Sequence, residues 1–173
     1  DVRQLPGVRA AGAVDVPQIG GTMAMRHVVQ QGVPESAGVW SITPGYLDAM
    51  GITLIRGRDF TEAEFRSDAP VAIVSESIVH ALWPGEDALG RTLEDDGTAL
   101  TIVGVTRDLR SGYGGRVQLG LYRLASPAAH RSWTIVAHGS ADPAALAAGI
   151  RGIVRRIDPE LVVPQSAPID ATL

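Results

Sequence analysis

Residues 40–60 read W-S-I-T-P-G-Y-L-D-A-M-G-I-T-L-I-R-G-R-D-F, and three elements with their punctuation fit inside that stretch. Val39 to Ile42 predicts the end of a strand. Thr43 stands where a hydroxyl can cap a helix, and Pro44 suits its first position, where the missing N–H is no loss and φ is already helical. Tyr46, Leu47 and Met50 then give a short helix one apolar face, which Gly51 can close in the left-handed conformation. Ile52 to Ile55 predicts a second strand, and Arg56, Gly57, Arg58 and Asp59 mark an exit to the surface.

Upstream, Val2 to Leu5 reads as the last turn of a helix halted by Pro6-Gly7, and Val8 to Val14 as a strand. Asp15 to Gly21 is loop, Thr22 to Val29 a strand, and Gln30 to Gly38 a polar turn region. Downstream, Thr61 and Glu64 have capping-box spacing, and Ser67 to Pro70 is an exposed connection. The next block, V-A-I-V-S-E-S-I-V-H-A-L-W-P-G-E-D-A-L-G-R-T-L, predicts a buried strand over Val71–Val74. Ser75 is then placed to cap a helix with Ile78, Val79, Leu82 and Trp83 on one face. Asp95-Asp96-Gly97, between Gly90–Leu93 and Ala99–Val105, is a hairpin signal, because the turn needs positive φ. Arg107 to Arg116 is a Gly-rich loop, and Gln118 to Leu124 and Ser132 to Ala137 are strands. Asp142 caps and Pro143 opens a helix whose stripe of Leu146, Ile150, Ile153, Val154 and Ile157 has helical spacing; Pro159 ends it before a strand over Leu161–Val163. Val2–Val8 and Val154–Leu161 echo each other as helix end, proline stop and strand start, which would make the two chain ends paired units.

A chain of 173 residues with 45% apolar and 20% charged residues can bury a core of its own. The net charge of -4 and the lack of a basic run argue against nucleic acid as a partner. All fifteen basic residues are Arg, so a P-loop, which needs Lys, is excluded. With no Cys there is no disulfide framework, thiolate nucleophile or Cys-based zinc site. The longest uncharged run, Ser36 to Leu47, is too short and too polar to span a bilayer, which takes about 20 apolar residues. The sequence opens on Asp1 and stops at Leu173, and it reads as an excised piece of a longer protein.

Several clusters invite a chemical reading. Met23, Met25 and His27 at alternate positions of a strand form a soft set suited to Cu(I), although packing explains them as well. Ser111-Gly112-Tyr113-Gly114-Gly115 resembles an anion cradle but lacks a following helix and a Lys, and reads better as a loop. His27, His80, His130 and His138 are scattered outside any H-E-x-x-H or G-x-S-x-G pattern. Asp95 with Asp96 and Glu86 with Asp87 are adjacent carboxylates whose turn positions point to solvation. Arg56, Arg58 and Asp59 suit a structural ion-pair knot. No residue is assigned as catalytic, cofactor-binding or metal-binding, and no cofactor is expected.

Four segments carry a resemblance: P-G-Y-L-x-x-M-G-I with R-G-R-D-F; V-A-I-V-S-E-S with L-W-P-G-E-D-A-L-G-R-T-L; T-I-V-G-V-T-R-D-L-R; and D-P-A-A-L with R-x-I-D-P-E-L-V-V. In this order and at these intervals the chain resembles the periplasmic, or extracytoplasmic, core domain of MacB/FtsX-type ABC transporter permeases. It departs from that pattern at Gly112 to Gly120 and around Gly20 to Gln31. The resemblance implies an α+β fold with a porter-like α/β subdomain from residues 1–60 and 127–173. A strand-rich, Sabre-like subdomain would be inserted over residues 61–126. It also implies flanking membrane helices, a cytoplasmic ATPase partner, a homodimer of the full-length protein in the cell membrane, and a non-catalytic role in transmitting motion. The alternative is an FtsX-like sensor that binds an envelope partner such as a cell-wall hydrolase. A small hydrolase built on His80 or His138 is a third.

Overall fold

The computed structural model describes residues 1–16, 24–30, 33–109, 119–126, 132–161, 163 and 168. A short 3-10 turn (Val2–Gln4) leads into β1 (Val8–Val14), β2 (Ala24–Gln30) and β3 (Val33–Ile42). After them come α1 (Tyr46–Ala49), β4 (Leu54–Gly57), α2 (Glu62–Ser67), β5 (Val71–Ser75) and α3 (Glu76–Leu82). The hairpin β6 (Thr92–Asp95) and β7 (Thr98–Thr106), then β8 (Gly120–Leu124), β9 (Thr134–Gly139) and α4 (Pro143–Ile157), complete the order. The result is a mixed, strand-rich α+β fold, as the sequence led us to expect.

The strands form one sheet in the order β2-β6-β7-β5-β8-β3-β1-β9, with β4 on β7. Because β2 also pairs with β3, the first six close into a ring, from which β1 and β9 extend as a flap. Two long strands make this possible by changing partners along one edge. β3 pairs with β2 up to Val39 and meets β1 at Ile42, while its other edge runs parallel to β8. β7 pairs with β6 over Thr98–Thr101 and with β4 from Gly104 to Thr106. The turn region expected over residues 30–38 is therefore largely strand. Ser36, one of the polar residues that suggested a turn, is an exposed position of β3, and Ala37 beside it is buried.

Side-chain alternation sorts the apolar residues into two cores. Inside the ring lie Val28, Ala37, Val39, Ala72, Val74, Leu93, Leu100, Ile102 and Leu121, with α3 contributing Ile78, Val79 and Leu82 at one end. Outside it, Trp40, Ile42, Ile73, Tyr122 and Leu124 from the same strands pack with Ala10, Val14, Tyr46, Leu47 and Val136. Trp40 and Tyr122 stack with ring centroids 5.6 Å apart. An extra residue at Val103 forms a bulge opposite Ala72–Ile73 and shifts the alternation, so Val105 returns to the inner core.

Several local readings are corrected. α1 starts at Tyr46 after a turn in which Gly45 has φ 83°, and Thr43 is not its cap. Its end is a Schellman motif: Ile52 N–H donates to Leu47 O at 2.8 Å and Gly51 N–H to Asp48 O at 3.1 Å, with Gly51 at φ 68°. Ile52 is thereby tied into this cap, β4 begins only at Leu54, and it continues through Arg56 and Gly57. The Asp96-Gly97 turn has both φ values positive, 51° and 75°, as its residues predict. α4 has its expected Asp142 cap, but of its stripe only Ile153 is buried and Ile157 is 77% exposed. Leu161 and Val163 lie outside any strand, and residue 162 is not described.

The flap and α1 meet where β1 has no side chain. A Cβ on Gly12 would lie 2.4 Å from the backbone nitrogen of Tyr46, a fully buried residue, so only glycine lets α1 dock on β1. Gly12→Ala is expected to cost about 2 kcal/mol, measured as a lowered midpoint in urea denaturation. An unchanged midpoint would show that the docking is loose.

Candidate functional site

Two strand-to-helix corners, after β3 and after β5, are built alike. In each, the hydroxyl placed to cap the helix turns to a neighbouring strand instead. Thr43 Oγ1 accepts from Ala13 N of β1 at 2.8 Å, and Ser75 Oγ accepts from Gly120 N of β8 at 2.9 Å. A remote carboxylate takes over at the helix. Asp59 Oδ2 accepts from Gly45 N at 3.1 Å, and Asp108 Oδ1 accepts from Ser77 N at 2.9 Å. Asp59 also accepts from its neighbour Phe60 N at 2.7 Å. Burial raises its pKa above the ordinary carboxylate value, against the lowering effect of those two N–H donors. Burial likewise holds the phenol of Tyr46 well above its ordinary value.

The expected knot of Arg56, Arg58 and Asp59 is instead three separate attachments. Arg56 pairs with Asp87. Arg58 holds Glu64 with both nitrogens, at 2.9 and 2.7 Å, inside the Thr61–Glu64 capping box. That charge-assisted pair lowers the Glu64 pKa to about 2 and raises that of Arg58. Asp59 serves α1. A further exposed pair, Arg3 Nη2 to Glu62 Oε1 at 2.6 Å, ties the N-terminal turn to α2.

The adjacent carboxylates are also divided. Glu86 pairs with Arg91 and Asp87 with Arg56, and the N–H of Leu89 is the leading cause of a lowered Asp87 pKa. Asp96 is exposed in the hairpin turn, but Asp95 is fully buried, contrary to the solvation its turn position suggested. It accepts from Arg123 Nη1 at 2.8 Å. No local signal marks this partner, 28 residues away on β8. Beside Arg123 a cavity of ≈ 170 Å³ opens between Asp68–Val71, Thr98, Leu100 and Leu124.

His80 on α3 and His138 on β9 are both exposed on separate elements. Met23, His130 and the Gly112–Gly115 loop lie outside the described residues; Met25 and His27 fall on β2, and of these two residues the backbone alone is described. Among the described residues no three His, Cys, Asp or Glu side chains gather as a metal set. What the described polar residues do is fix corners and hold strands together.

Two outcomes follow. Asp59→Ala and Asp108→Ala are each expected to cost about 1 kcal/mol, with the Asn variants milder because an amide oxygen still accepts; chemical denaturation of the four variants checks this. Because the Glu64 pKa is depressed, its stabilisation is fully present above its ordinary value of 4.5 and is lost as pH falls toward 2. Glu64→Gln should flatten the stability profile between those limits, and a profile unchanged in slope would refute the pairing with Arg58.

The comparisons agree with this architecture. The model of the MacB-like periplasmic core domain family matches residues 1–153. A macrolide export ATP-binding/permease protein, MacB, of Neisseria gonorrhoeae is 27% identical over 112 residues, which is 65% of this chain and 17% of that protein. An uncharacterised ABC transporter permease of Bacillus subtilis, YvrN, is 27% identical over 82 residues, 47% of this chain and 19% of that protein. The chain thus spans less than a fifth of the length of these curated relatives. Among solved structures, the periplasmic region of MacB from Actinobacillus actinomycetemcomitans shares the fold with a TM-score of 0.67 at 17% identity, covering 90% of this chain and 70% of that one. The extracellular domain of the ABC-type transporter YknZ from Gram-positive bacteria gives 0.60 at 17% identity, covering 87% and 73%. With the family model matching most of its length, the chain belongs to the MacB-like periplasmic core domain family.

Proposed function

We propose that this domain is the non-catalytic, extracytoplasmic part of an ABC transporter permease, and that it passes ATP-driven movement of membrane helices to the outer face of the membrane as rigid-body motion. The ATP would be hydrolysed by a cytoplasmic partner, a separate subunit or a domain of the same polypeptide, and the full-length protein would act as a homodimer in the cell membrane. The cargo would be a small amphiphile, a peptide or a lipoprotein released at that face.

The observation that carries this reading is the family match over residues 1–153. The geometry supports it. We take residues 1–60 and 127–173 as one lobe and 61–126 as the other. β3 of the first lobe runs parallel to β8 of the second from Gly38↔Gly120 to Ile42↔Leu124, so a displacement of one lobe is carried by a hydrogen-bonded ladder. The β2–β6 and β4–β7 ladders also join the lobes, and at the surface Arg3 pairs with Glu62 across them. No helix among the described residues is long and apolar enough to cross a membrane, so the spans would lie in other parts of the permease. A sensor reading would be favoured by an exposed apolar patch on residues 61–126. The large apolar side chains exposed among the described residues are instead Ile135, Ile157 and Leu161, in the other lobe.

The test uses the full-length permease reconstituted with its ATPase. This domain has no Cys, so Arg3→Cys with Glu62→Cys gives it two thiols, in a permease whose remaining cysteines are replaced. Bridging them with a short bis-maleimide is expected to leave transport and ATP hydrolysis at the level of either single variant, because the ladders already make the two lobes move together. Transport lost on bridging while ATP hydrolysis persists would overturn this mechanical reading.

A further inference from the structure

We propose that the Asp95–Arg123 pair is an internal strut that holds the six-stranded ring closed at its weakest seam, the contact between β2 and β6. The order of strands puts β6 and β8 three places apart in either direction around the ring, so the two residues face each other across its interior. Parity agrees with this. Asp95 shares its face of β6 with Leu93, and Arg123 shares its face of β8 with Leu121, and both leucines belong to the inner core. The carboxylate is fully buried, the Arg123 side chain is 28% exposed, and their 2.8 Å bond lies at the end of the ring opposite α3.

The seam needs such support. β2 and β6 are held by the pairs Val28↔Asp95 and Val29↔Glu94, the shortest ladder in the ring. β2 continues its long ladder with β3 whether or not it touches β6, and β6 remains anchored to β7 through the hairpin. Loss of the seam would therefore open the ring without dismantling either hairpin. Asp95 stands at that point, since its backbone pairs with Val28 while its side chain reaches β8. A buried ion pair contributes little to net stability compared with apolar packing, but removing one partner leaves a buried charge with less compensation, which gives the pair control over a local opening.

Arg123→Met tests this by amide hydrogen exchange. We expect exchange to accelerate roughly tenfold or more in residues 24–30 and 92–95, while β5, β7 and β8 keep their protection. Acceleration spread evenly over all strands, or none anywhere, would overturn the proposal. A disulfide across the seam covers the case in which the single variant fails to fold. Val29→Cys with Glu94→Cys joins directly paired positions in a chain that has no other Cys. In the Arg123→Met background, oxidation is expected to restore folding or protection, and reduction to remove it. Failure of the disulfide to rescue would show that Arg123 acts elsewhere. The proposal stands apart from the transport reading, because the readout is exchange in this domain alone.

Discussion

Everything in this domain depends on three strands that must be apolar on both faces. β5, β8 and residues 37–42 of β3 lie between the inner core of the ring and the outer core beneath the flap, so neither set of alternate residues there can be given to water. Val39, Val74 and Leu121 pack inward, and Trp40, Ile73 and Tyr122 pack outward. Strands of this kind read as continuous apolar runs, because there is no solvent face to interrupt them. Few polar residues fall within these runs, and two of them make specific side-chain bonds: Ser75 with Gly120, and Arg123 with Asp95.

The two cores explain how a ring and a flap form one body. Had the ring been filled alone, β1, β9 and α1 would have no apolar partner, and burial of apolar surface is the main term that could hold them. Trp40 and Tyr122 supply that partner from outside the ring, at about 0.5–1.5 kcal/mol for their stacking beyond simple burial. Gly12 then lets the Tyr46 backbone approach β1 as closely as the packing demands.

How much of this was legible in the sequence depended on range. Signals whose partners lie within a few residues were read correctly: the capping box at Thr61–Glu64, the Asp96-Gly97 turn, Gly51 after α1, and Asp142 before α4. Thr43 and Ser75 were misread as caps because a hydroxyl before a helix has two possible uses, and the choice was made by strands 30 and 45 residues away. The same limit hid Asp59 and Asp108 as distant caps and Asp95 as a buried acid. Family resemblance was legible in motifs such as P-G-Y-L-x-x-M-G-I, whose Pro, Gly and Tyr now have structural reasons in the Gly45 turn and the buried Tyr46. The closed ring was not legible, because closure rests on one short contact between β2 and β6, and no periodicity encodes a partner.

The bulge at Val103 sets a constraint on length that composition does not reveal. It keeps Leu100 and Ile102 in phase with one stretch of β7 and Val105 with the next, and β4 lies tightly against it, since a Cβ on Gly57 would sit 2.3 Å from the Val103 carbonyl oxygen. Deleting that single residue would rotate the remainder of the strand by half a period and send Val105 away from the interior. The number of residues between Leu100 and Val105 is therefore a fixed gauge, set by the packing on both faces of β7.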